Sequence, residues 1–316
     1  MAILEFEKPI VEIQKKIQEL KEISESSGMD VTAEIETFEK QALEYKKEVY
    51  ANLTPAQRLQ IARHADRPTF LDYVKLMTTD FMEMHGDREG MDDRAIIGGI
   101  AKIEDCSVVI IGTQKGKNTK ENLTYNFGMP QPQGYRKALR LFNHANKFNM
   151  PIVTLIDTPG AYPGIKAEET AQGTAIAVNL REMAKLNVPV IAVITGEGCS
   201  GGALGLAVAD RVYMLEHSYY TVISPEGCAS ILWRDASMAG TAAESLKITS
   251  EDLLKFGIID GIVKEPLGGA HCDYEKMAND LKETIMRAIY ELRDVNSKTL
   301  RNDRYNKYRR MGIFCQ

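Results

Sequence analysis

The sequence of 316 residues is poor in cysteine and carries no excess of positive charge. Its five cysteines are an odd number, and no two of them have C-x-x-C spacing, which argues against a disulfide framework and against a zinc ribbon. The formal net charge of -5 provides no global basic field that would attract nucleic acid. We therefore expect a cytoplasmic protein with no nucleic-acid role and no metal of its own.

Long hydrophobic runs are also absent. No stretch approaches the roughly 18 apolar residues of a membrane-spanning helix, and the first residues lack the basic and apolar segments of a signal peptide. Hydrophobic residues nevertheless make up 44% of the chain and charged residues 26%, so we expect a sizeable core with a solvated surface. The length suits one large domain or two ordinary ones.

The first fifty residues have the spacing of amphipathic helices. Apolar residues recur every three or four positions in two stretches, Ile10, Ile13, Ile17 and Leu20 and then Ile35, Phe38, Ala42, Tyr45 and Val49. This pattern predicts an antiparallel helical hairpin joined at residues 26–28. The hairpin is either an arm for another subunit or a pair packed on its own domain. We place the hairpin at residues 1–53, the main domain at 54–295 and a C-terminal tail at 296–316.

Short apolar runs begin at about residue 95 and are separated by loops and helical stretches. They are rich in β-branched residues and do not alternate with polar ones, which is typical of buried strands in an α/β protein. The predicted strands are Ser107–Ile111, Ile152–Ile156, Val190–Ile194, Val212–Leu215 and Thr221–Ile223.

Two of these strands belong to an internal repeat. Residues 149–156 read NMPIVTLI and residues 187–194 read NVPVIAVI, at an offset of 38 residues. Each copy has a helix end, a turn with proline and a buried strand. Two matching units predict a stack of strand–loop–helix repeats wound with one hand.

The loops that follow the repeat strands, residues 157–164 and 196–203, are the candidate functional region. Loops at the carboxyl ends of strands form the ligand crevice of α/β sheets. The second loop, GEGCSGGA, leads into a predicted helix at 203–209. Glycines at a helix start leave N–H groups that can hold an anion or a developing oxyanion. The alternative is a tight turn in which glycine only permits close packing.

Other motifs give competing interpretations. Gly198–Gly202 matches G-x-S-x-G between a strand and a helix, which would make Ser200 the nucleophile of a serine hydrolase, with Asp260 and His271 as partners. The run at 112–117 lacks the spacing of a phosphate loop, and the five histidines are scattered. The basic stretch between Lys115 and Arg140 suits phosphates or an acidic carrier domain, although a solvated surface is the default.

Several longer strings resemble one protein family, the carboxyltransferase alpha subunits of bacterial and plastid acetyl-CoA carboxylases. These strings are RPTFLDYV at 67–74, GDREGMDDRAIIGGIA at 86–101, NFGMPQPQGYRKALRL at 126–141, IDTPGAYPG at 156–164, GEGCSGGALG at 196–205, VISPEGCASILW at 222–233 and EPLGGAH at 265–271. They occur in the family's order and cover nearly the whole chain.

The resemblance implies a fold and a reaction. The fold would be a crotonase-like (ClpP/crotonase) spiral of β-β-α units. The reaction would move a carboxyl group from carboxybiotin, carried on a biotin carboxyl carrier protein, to acetyl-CoA, giving malonyl-CoA for fatty acid synthesis. A beta subunit with a four-cysteine zinc site would complete an α2β2 heterotetramer, and biotin carboxylase would join the wider complex. No side-chain base is needed, because the biotin ureido nitrogen can take the proton.

The resemblance also implies site residues. The backbone amides of Gly201 and Gly202 would stabilise the biotin oxyanion. The residues implied to line the carboxybiotin pocket are Gly160, Ala161, Tyr162, Gly164 and Ala203.

The sequence departs from the family pattern in two places. Cys199 replaces a glycine, which would alter the turn if that position needed a positive φ. Thr170, Thr174 and Val178 replace an Arg–Glu–Arg ladder at i, i+4, i+8 spacing, and this joint loss suggests repacking of one helix face.

Overall fold

The structure is a computed structural model that describes residues 3–27 and 30–312. The strands within this part of the chain are β1 Thr79–Glu83, β2 Ile96–Ile103, β3 Cys106–Thr113, β4 Ile152–Thr158, β5 Val190–Cys199, β6 Arg211–Leu215, β7 Tyr219–Thr221 and β8 Gly261–Val263. The helices are α1 Lys8–Ser27, α2 Thr32–Ala51, α3 Pro55–Ala62, α4 Phe70–Met77, α5 Thr119–Thr124, α6 Pro132–Phe148, α7 Ile165–Glu169, α8 Gln172–Met183, α9 Ser200–Ala207, α10 Pro225–Leu232, α11 Ala239–Leu246, α12 Ser250–Lys255, α13 Tyr274–Leu292 and α14 Ser297–Arg309.

The N-terminal helices α1 and α2 form the predicted hairpin. Lys21 and Glu39 pair across it with 3.0 Å between Nζ and Oε1. The Tyr50 hydroxyl, at the end of α2, donates to the carbonyl of Gly268 at 3.2 Å, so this end of the hairpin packs on the main body. The predicted junction includes Gly28, which lies outside the described residues.

The sheet places the strands in the order β1-β2-β3-β4-β5-β6-β8, with β7 beside the far end of β5. Strands β1 to β3 pair antiparallel, and the pairs from β3 onward are parallel. Ile152 lies opposite Val190 and Ile156 lies opposite Ile194. The offset of the sequence repeat is therefore also the register of β4 against β5.

Helices cover the sheet on two faces, and the central strands are buried on both. Ile152 belongs to a core cluster with residues of α6, α8 and α9, whereas Val153 belongs to a second cluster with residues of α4 and α13. Successive residues of a strand point to opposite faces, so burial on both faces requires an unbroken apolar run. This arrangement confirms the predicted α/β class.

The structure corrects several predicted strand limits. Strands β1, β2 and β8 were not predicted, and β7 lies two residues before the predicted Thr221–Ile223. Strand β5 continues from Ile194 to Cys199, although Gly196 and Gly198 lie in this extension, because Glu197–Cys199 pair with Tyr219–Thr221. Tertiary pairing thus overrides the loop preference of glycine here.

The segment after residue 295, where we placed a tail, forms α14 and docks on the sheet. The Arg304 guanidinium pairs with the Asp210 carboxylate at 2.9 and 2.7 Å. It also donates to the carbonyls of Met183, Leu186 and Val188. Within the described residues, no helix is long and apolar enough to cross a membrane.

Candidate functional site

The two predicted loops lie side by side at the carboxyl ends of β4 and β5. Thr158 pairs with Gly198 across the strands, so the loops leave the sheet together. A Cβ atom built on Gly202 would lie 2.4 Å from the amide nitrogen of Ala161 and 2.6 Å from the carbonyl carbon of Gly160. Only a hydrogen atom fits at that point. The backbones of the two loops are therefore in direct contact.

The second loop turns sharply at Ser200. Cys199 has an extended backbone with φ of -113°, whereas Ser200 has φ of 58°. The replacement of a glycine by Cys199 therefore introduces no backbone strain, because the left-handed residue of the turn is its neighbour. The helix begins at Ser200 rather than at Ala203 as predicted. Gly201 and Gly202 thus occupy its first turn, where N–H groups have no intrahelical acceptor.

The first loop is braced by its own polar groups. The Thr158 hydroxyl donates to the carbonyl of Gly160 at 2.9 Å and accepts from the amide of Gly160 at 3.1 Å. Gly160 has φ of 139°, and a Cβ built there would meet no atom within 4 Å. Glycine at this position permits the backbone conformation and leaves open space beside it.

The other residues predicted to line the pocket differ in their surroundings. The ring of Tyr162 lies over Gly164, where a Cβ would come within 2.3 Å of the ring. Ala203 is fully buried in the core, so neither its side chain nor its backbone borders open space. The structure thus brings Gly160, Ala161 and Gly202 into contact and places Gly164 beneath Tyr162.

A buried charge network lies beneath the loops, and the sequence interpretation missed it. Lys115 Nζ lies 2.6 Å from Asp157 Oδ1 and 2.5 Å from Glu197 Oε2. Arg63 Nε donates to Glu197 Oε1 at 2.7 Å, and the Tyr219 hydroxyl donates to the same oxygen. The amide of Glu197 donates to Asp157 Oδ1 at 2.8 Å. Each of these carboxylates stands at the root of one functional loop, so the network ties the two roots together.

Most cations in the basic stretch between Lys115 and Arg140 pair with acidic side chains, whereas Lys120 is exposed as the default interpretation predicts. Lys115 is enclosed by carboxylates, Lys117 pairs with Asp72, and Lys137 is buried against Asp92. The signal available in the sequence was the position of Lys115, Asp157 and Glu197 at or just beyond the carboxyl end of successive strands.

The electrostatics keep this network charged. Burial alone would raise the pKa of Glu197, but the positive charges of Lys115 and Arg63 lower it to about 2. Burial opposes the charged form of Lys115 as well, yet Asp157 and Glu197 raise its pKa. An ionised pair remains at neutral pH, which fixes the loop roots by charge-assisted bonds.

Three cavities surround this region. A polar cavity of about 340 Å³ borders Arg63, Lys115, Asp157 and Pro159. An apolar cavity of about 420 Å³ opens beside Ser200, along one face of α9. A third cavity, of about 410 Å³, lies along α8.

The third cavity lies where the family's charge ladder is missing. Thr174 and Val178 line it together with Arg88, Arg136 and Arg140. Thr170 does not share this helix face, contrary to the prediction, because it is the C-cap residue of α7; its hydroxyl donates to the carbonyl of Lys166 at 2.8 Å. This helix face therefore borders open space instead of closing on its neighbours.

The serine hydrolase hypothesis is not supported. In the described part of the chain, neither proposed partner hydrogen-bonds to Ser200. Asp260 accepts from the amide of Val212 at 2.6 Å and pairs with Lys307, and His271 stacks on His64 with 3.9 Å between ring centroids. No group of three His, Cys, Asp or Glu side chains suited to a metal was found among the described residues.

Comparison with known structures defines the class. The chain superposes on a transcarboxylase 12S crystal structure with a TM-score of 0.59 and 20% sequence identity, over 76% of this chain and 45% of that one. The chain thus spans less than half of that larger protein. The predicted crotonase-like fold, shared with carboxyltransferases, is confirmed.

Sequence comparison defines the family. The family described as acetyl co-enzyme A carboxylase carboxyltransferase-like matches residues 3–312. The acetyl-coenzyme A carboxylase carboxyl transferase subunit alpha of Prochlorococcus marinus is 53% identical over 314 residues, or 99% of this chain and 95% of the relative. The subunit of the same name from Synechococcus elongatus is 50% identical over 314 residues, or 99% and 96% of the two chains. The chain belongs to this carboxyltransferase family.

Proposed function

We propose that the chain is the alpha subunit of an acetyl-CoA carboxylase carboxyltransferase and works with a beta subunit. It transfers a carboxyl group from carboxybiotin, held on a biotin carboxyl carrier protein, to acetyl-CoA, giving malonyl-CoA. The family match over residues 3–312 supports this reaction. The observation that carries the proposal is the contact of Gly202 with Gly160 and Ala161, which sets the first-turn amides of α9 beside the first loop.

The site residues suit a carrier-bound biotin. A Cβ atom at Gly160 would meet no atom within 4 Å, and the first turn of α9 supplies donors for the ureido oxygen of biotin. Biotin supplies the carboxyl group, and its ureido nitrogen can accept a proton from the acetyl methyl. The amides of Gly201 and Gly202 stabilise the negative charge on the ureido oxygen, and one such donor typically lowers a barrier by about 3–4 kcal/mol. Ala161, Tyr162 and Gly164 form the opposite wall of the pocket.

The partners follow from the same proposal. The beta subunit supplies most of the coenzyme A site and carries zinc, and the two chains assemble as α2β2 with biotin carboxylase in the wider complex. Exposed apolar residues of the segment 222–233 support a protein-binding surface: Val222, Ile231, Leu232 and Trp233. The free thiols of Cys106, Cys199, Cys228 and Cys272 support a reducing compartment, the cytoplasm.

The test is carboxyl transfer between malonyl-CoA and biocytin by the chain mixed with a carboxyltransferase beta subunit. Gly202→Ala should reduce transfer by roughly 100-fold or more, because the new methyl group forces the two loops apart. Gly173→Ala on α8 is the matched control, since its methyl group meets no atom within 4 Å. A well-folded wild-type mixture without transfer would contradict the proposal, and so would equal activity of Gly202→Ala and wild type.

A further inference from the structure

The segment from Pro130 to Tyr135, which leads into helix α6, contacts both candidate loops. The carbonyl of Pro130 accepts from the amide of Tyr162 at 2.9 Å and from Nε2 of Gln172 at 2.8 Å. Five residues later, the hydroxyl of Tyr135 donates to the carbonyl of Gly202 at 3.1 Å. One short segment therefore holds a defined point of each loop.

Tyr135 is itself rigidly seated. It is fully buried, and its ring fills the space left by Gly205, where a Cβ would come within 2.8 Å of the ring. Nδ2 of the buried Asn179 donates to the carbonyls of Tyr135 and Gly205, both at 3.1 Å. The hydroxyl is thus fixed with respect to α6, α8 and α9 together.

The first turn of α9 needs such a restraint. Two consecutive glycines, Gly201 and Gly202, have more backbone freedom than any other residue pair. The left-handed Ser200 before them adds a sharp bend. Burial raises the pKa of Tyr135 well above its ordinary value, so the phenol stays protonated and remains a donor. A fixed donor on the Gly202 carbonyl limits rotation of the peptide units that carry the candidate oxyanion amides.

We propose that Tyr135 is a positioning residue for carboxyl transfer. Its hydroxyl sets the first turn of α9 against the loop at residues 158–164, so that the amides of Gly201 and Gly202 point to one place in the pocket. This inference rests on the proposed function. Tyr135 acts through the backbone of Gly202 and does not touch the substrate.

A matched control is available at the C-terminal end of helix α9. The Tyr308 hydroxyl donates to the carbonyl of Ala207 at 3.0 Å and accepts from the amide of Ala209 at 2.8 Å. Tyr135→Phe and Tyr308→Phe therefore each keep the aromatic ring and remove one hydroxyl. The first hydroxyl bonds to the start of α9, and the second bonds to its end. Only the first change acts on the turn at Gly201 and Gly202.

The experiment compares the two variants in the complex reconstituted with a beta subunit. A misplacement of reacting groups by about 1 Å can cost a factor of the order of 100, so Tyr135→Phe should lower kcat for transfer from malonyl-CoA to biocytin by roughly 10- to 100-fold. KM for malonyl-CoA should stay within about twofold, because a change confined to the transition state leaves ground-state binding intact. Tyr308→Phe should keep both parameters near the wild type.

A second measurement uses the alpha subunit alone. Labelling with [15N]glycine reports the chain's 24 glycines, among them Gly160, Gly201 and Gly202. Tyr135→Phe should shift the amide signals of these three, and Tyr308→Phe should leave them in place. This result does not require turnover, so it tests the positioning even if the wild type shows no transfer and the proposed function fails.

Three outcomes would overturn the inference. Full activity of Tyr135→Phe would show that the hydroxyl is dispensable. Equal losses in both variants would show that any weakening of α9 is sufficient. Unchanged signals of Gly201 and Gly202 in Tyr135→Phe would show that the hydroxyl does not set the turn.

Discussion

An ion pair lies at each end of the parallel strands, which we call the amino edge and the carboxyl edge of the sheet. The two ion pairs differ in their surroundings. At the amino edge, Arg304 pairs with Asp210, and the side chains are only 1% and 3% exposed. At the carboxyl edge, Lys115 pairs with Asp157 and Glu197, and it remains 18% exposed beside the polar cavity. The first ion pair is enclosed in the core, whereas the second borders the candidate site.

The difference teaches what each ion pair controls. Asp210 accepts from the first amide of β5, at 2.8 Å, and its partner lies on the docked helix α14. The amino-edge pair therefore holds an element in place. Asp157 and Glu197 lie at the first residues of the two candidate loops, so the carboxyl-edge network sets the spacing of these loops. We expect mutations at the two edges to separate stability from activity.

Arg304→Met should produce the largest effect. It leaves the buried carboxylate of Asp210 without a cation, and removing one partner of a buried pair typically costs about 3–5 kcal/mol. The free energy of unfolding in urea should fall by that amount. Arg301→Met, at an exposed position of the same helix, should change it little. Loss of carboxyl transfer in those Arg304→Met molecules that remain folded would contradict the claim that the amino-edge pair controls stability and not activity.

Acidification should act at the carboxyl edge through Glu197. Its folded-state pKa of about 2 lies below the ordinary 4.5, so its contribution is present above pH 4.5 and is lost as the pH falls toward 2. A shift of this size corresponds to about 3 kcal/mol. Urea unfolding at several pH values should show a weaker dependence for Glu197→Gln than for wild type. Glu265, with a pKa also lowered to about 2, titrates in both proteins. Parallel curves would contradict the assignment.

Lys115→Met tests the carboxyl edge through activity. Asp157 and Glu197 would then face each other without the lysine, and we expect their repulsion to displace the loop roots. Carboxyl transfer should fall by roughly 100-fold. Adding Glu197→Gln removes one of the facing charges and should restore part of the activity, which a double-mutant cycle would measure. Lys120→Met, at an exposed position five residues on, is the control.

Cys199→Gly should have the smallest effect. The backbone at 199 is extended, so the glycine usual in the family is not required there. Greater freedom in the unfolded chain, together with loss of the buried thiol side chain, should cost about 1–2 kcal/mol of stability. Carboxyl transfer should stay within about twofold of wild type, because the amides of the next residues keep their place. A large change in transfer would mean that the thiol, and not only the backbone, shapes the turn.

Local pattern was sufficient for part of this structure. The β-branched runs predicted the central strands, and the repeat of residues 149–156 at 187–194 predicted two adjacent loops. These features depend on periodicity and on neighbouring units, which the sequence displays directly.

The charge network was not predictable in this way. Lys115 is separated by 42 residues from Asp157 and by 82 from Glu197. Helix and strand spacing rules relate residues only a few positions apart. On those rules, Lys115 was interpreted as part of a basic surface. The extension of β5 through Gly198 was missed for a related reason. It is stabilised by pairing with β7, and the local sequence around Gly198 does not indicate a strand.

The shared value of repeat offset and strand register has a consequence for biosynthesis. Ile152 meets Val190 across one intervening unit, and closing a chain segment of this length costs little more than closing a shorter one. We expect that β4 and β5 can meet before the C-terminal part of the chain has been made, since only one repeat unit separates them. Arg304 is made much later. The nascent chain therefore carries the Asp210 carboxylate before the Arg304 guanidinium exists. Docking of α14 is then the last step that completes this end of the sheet.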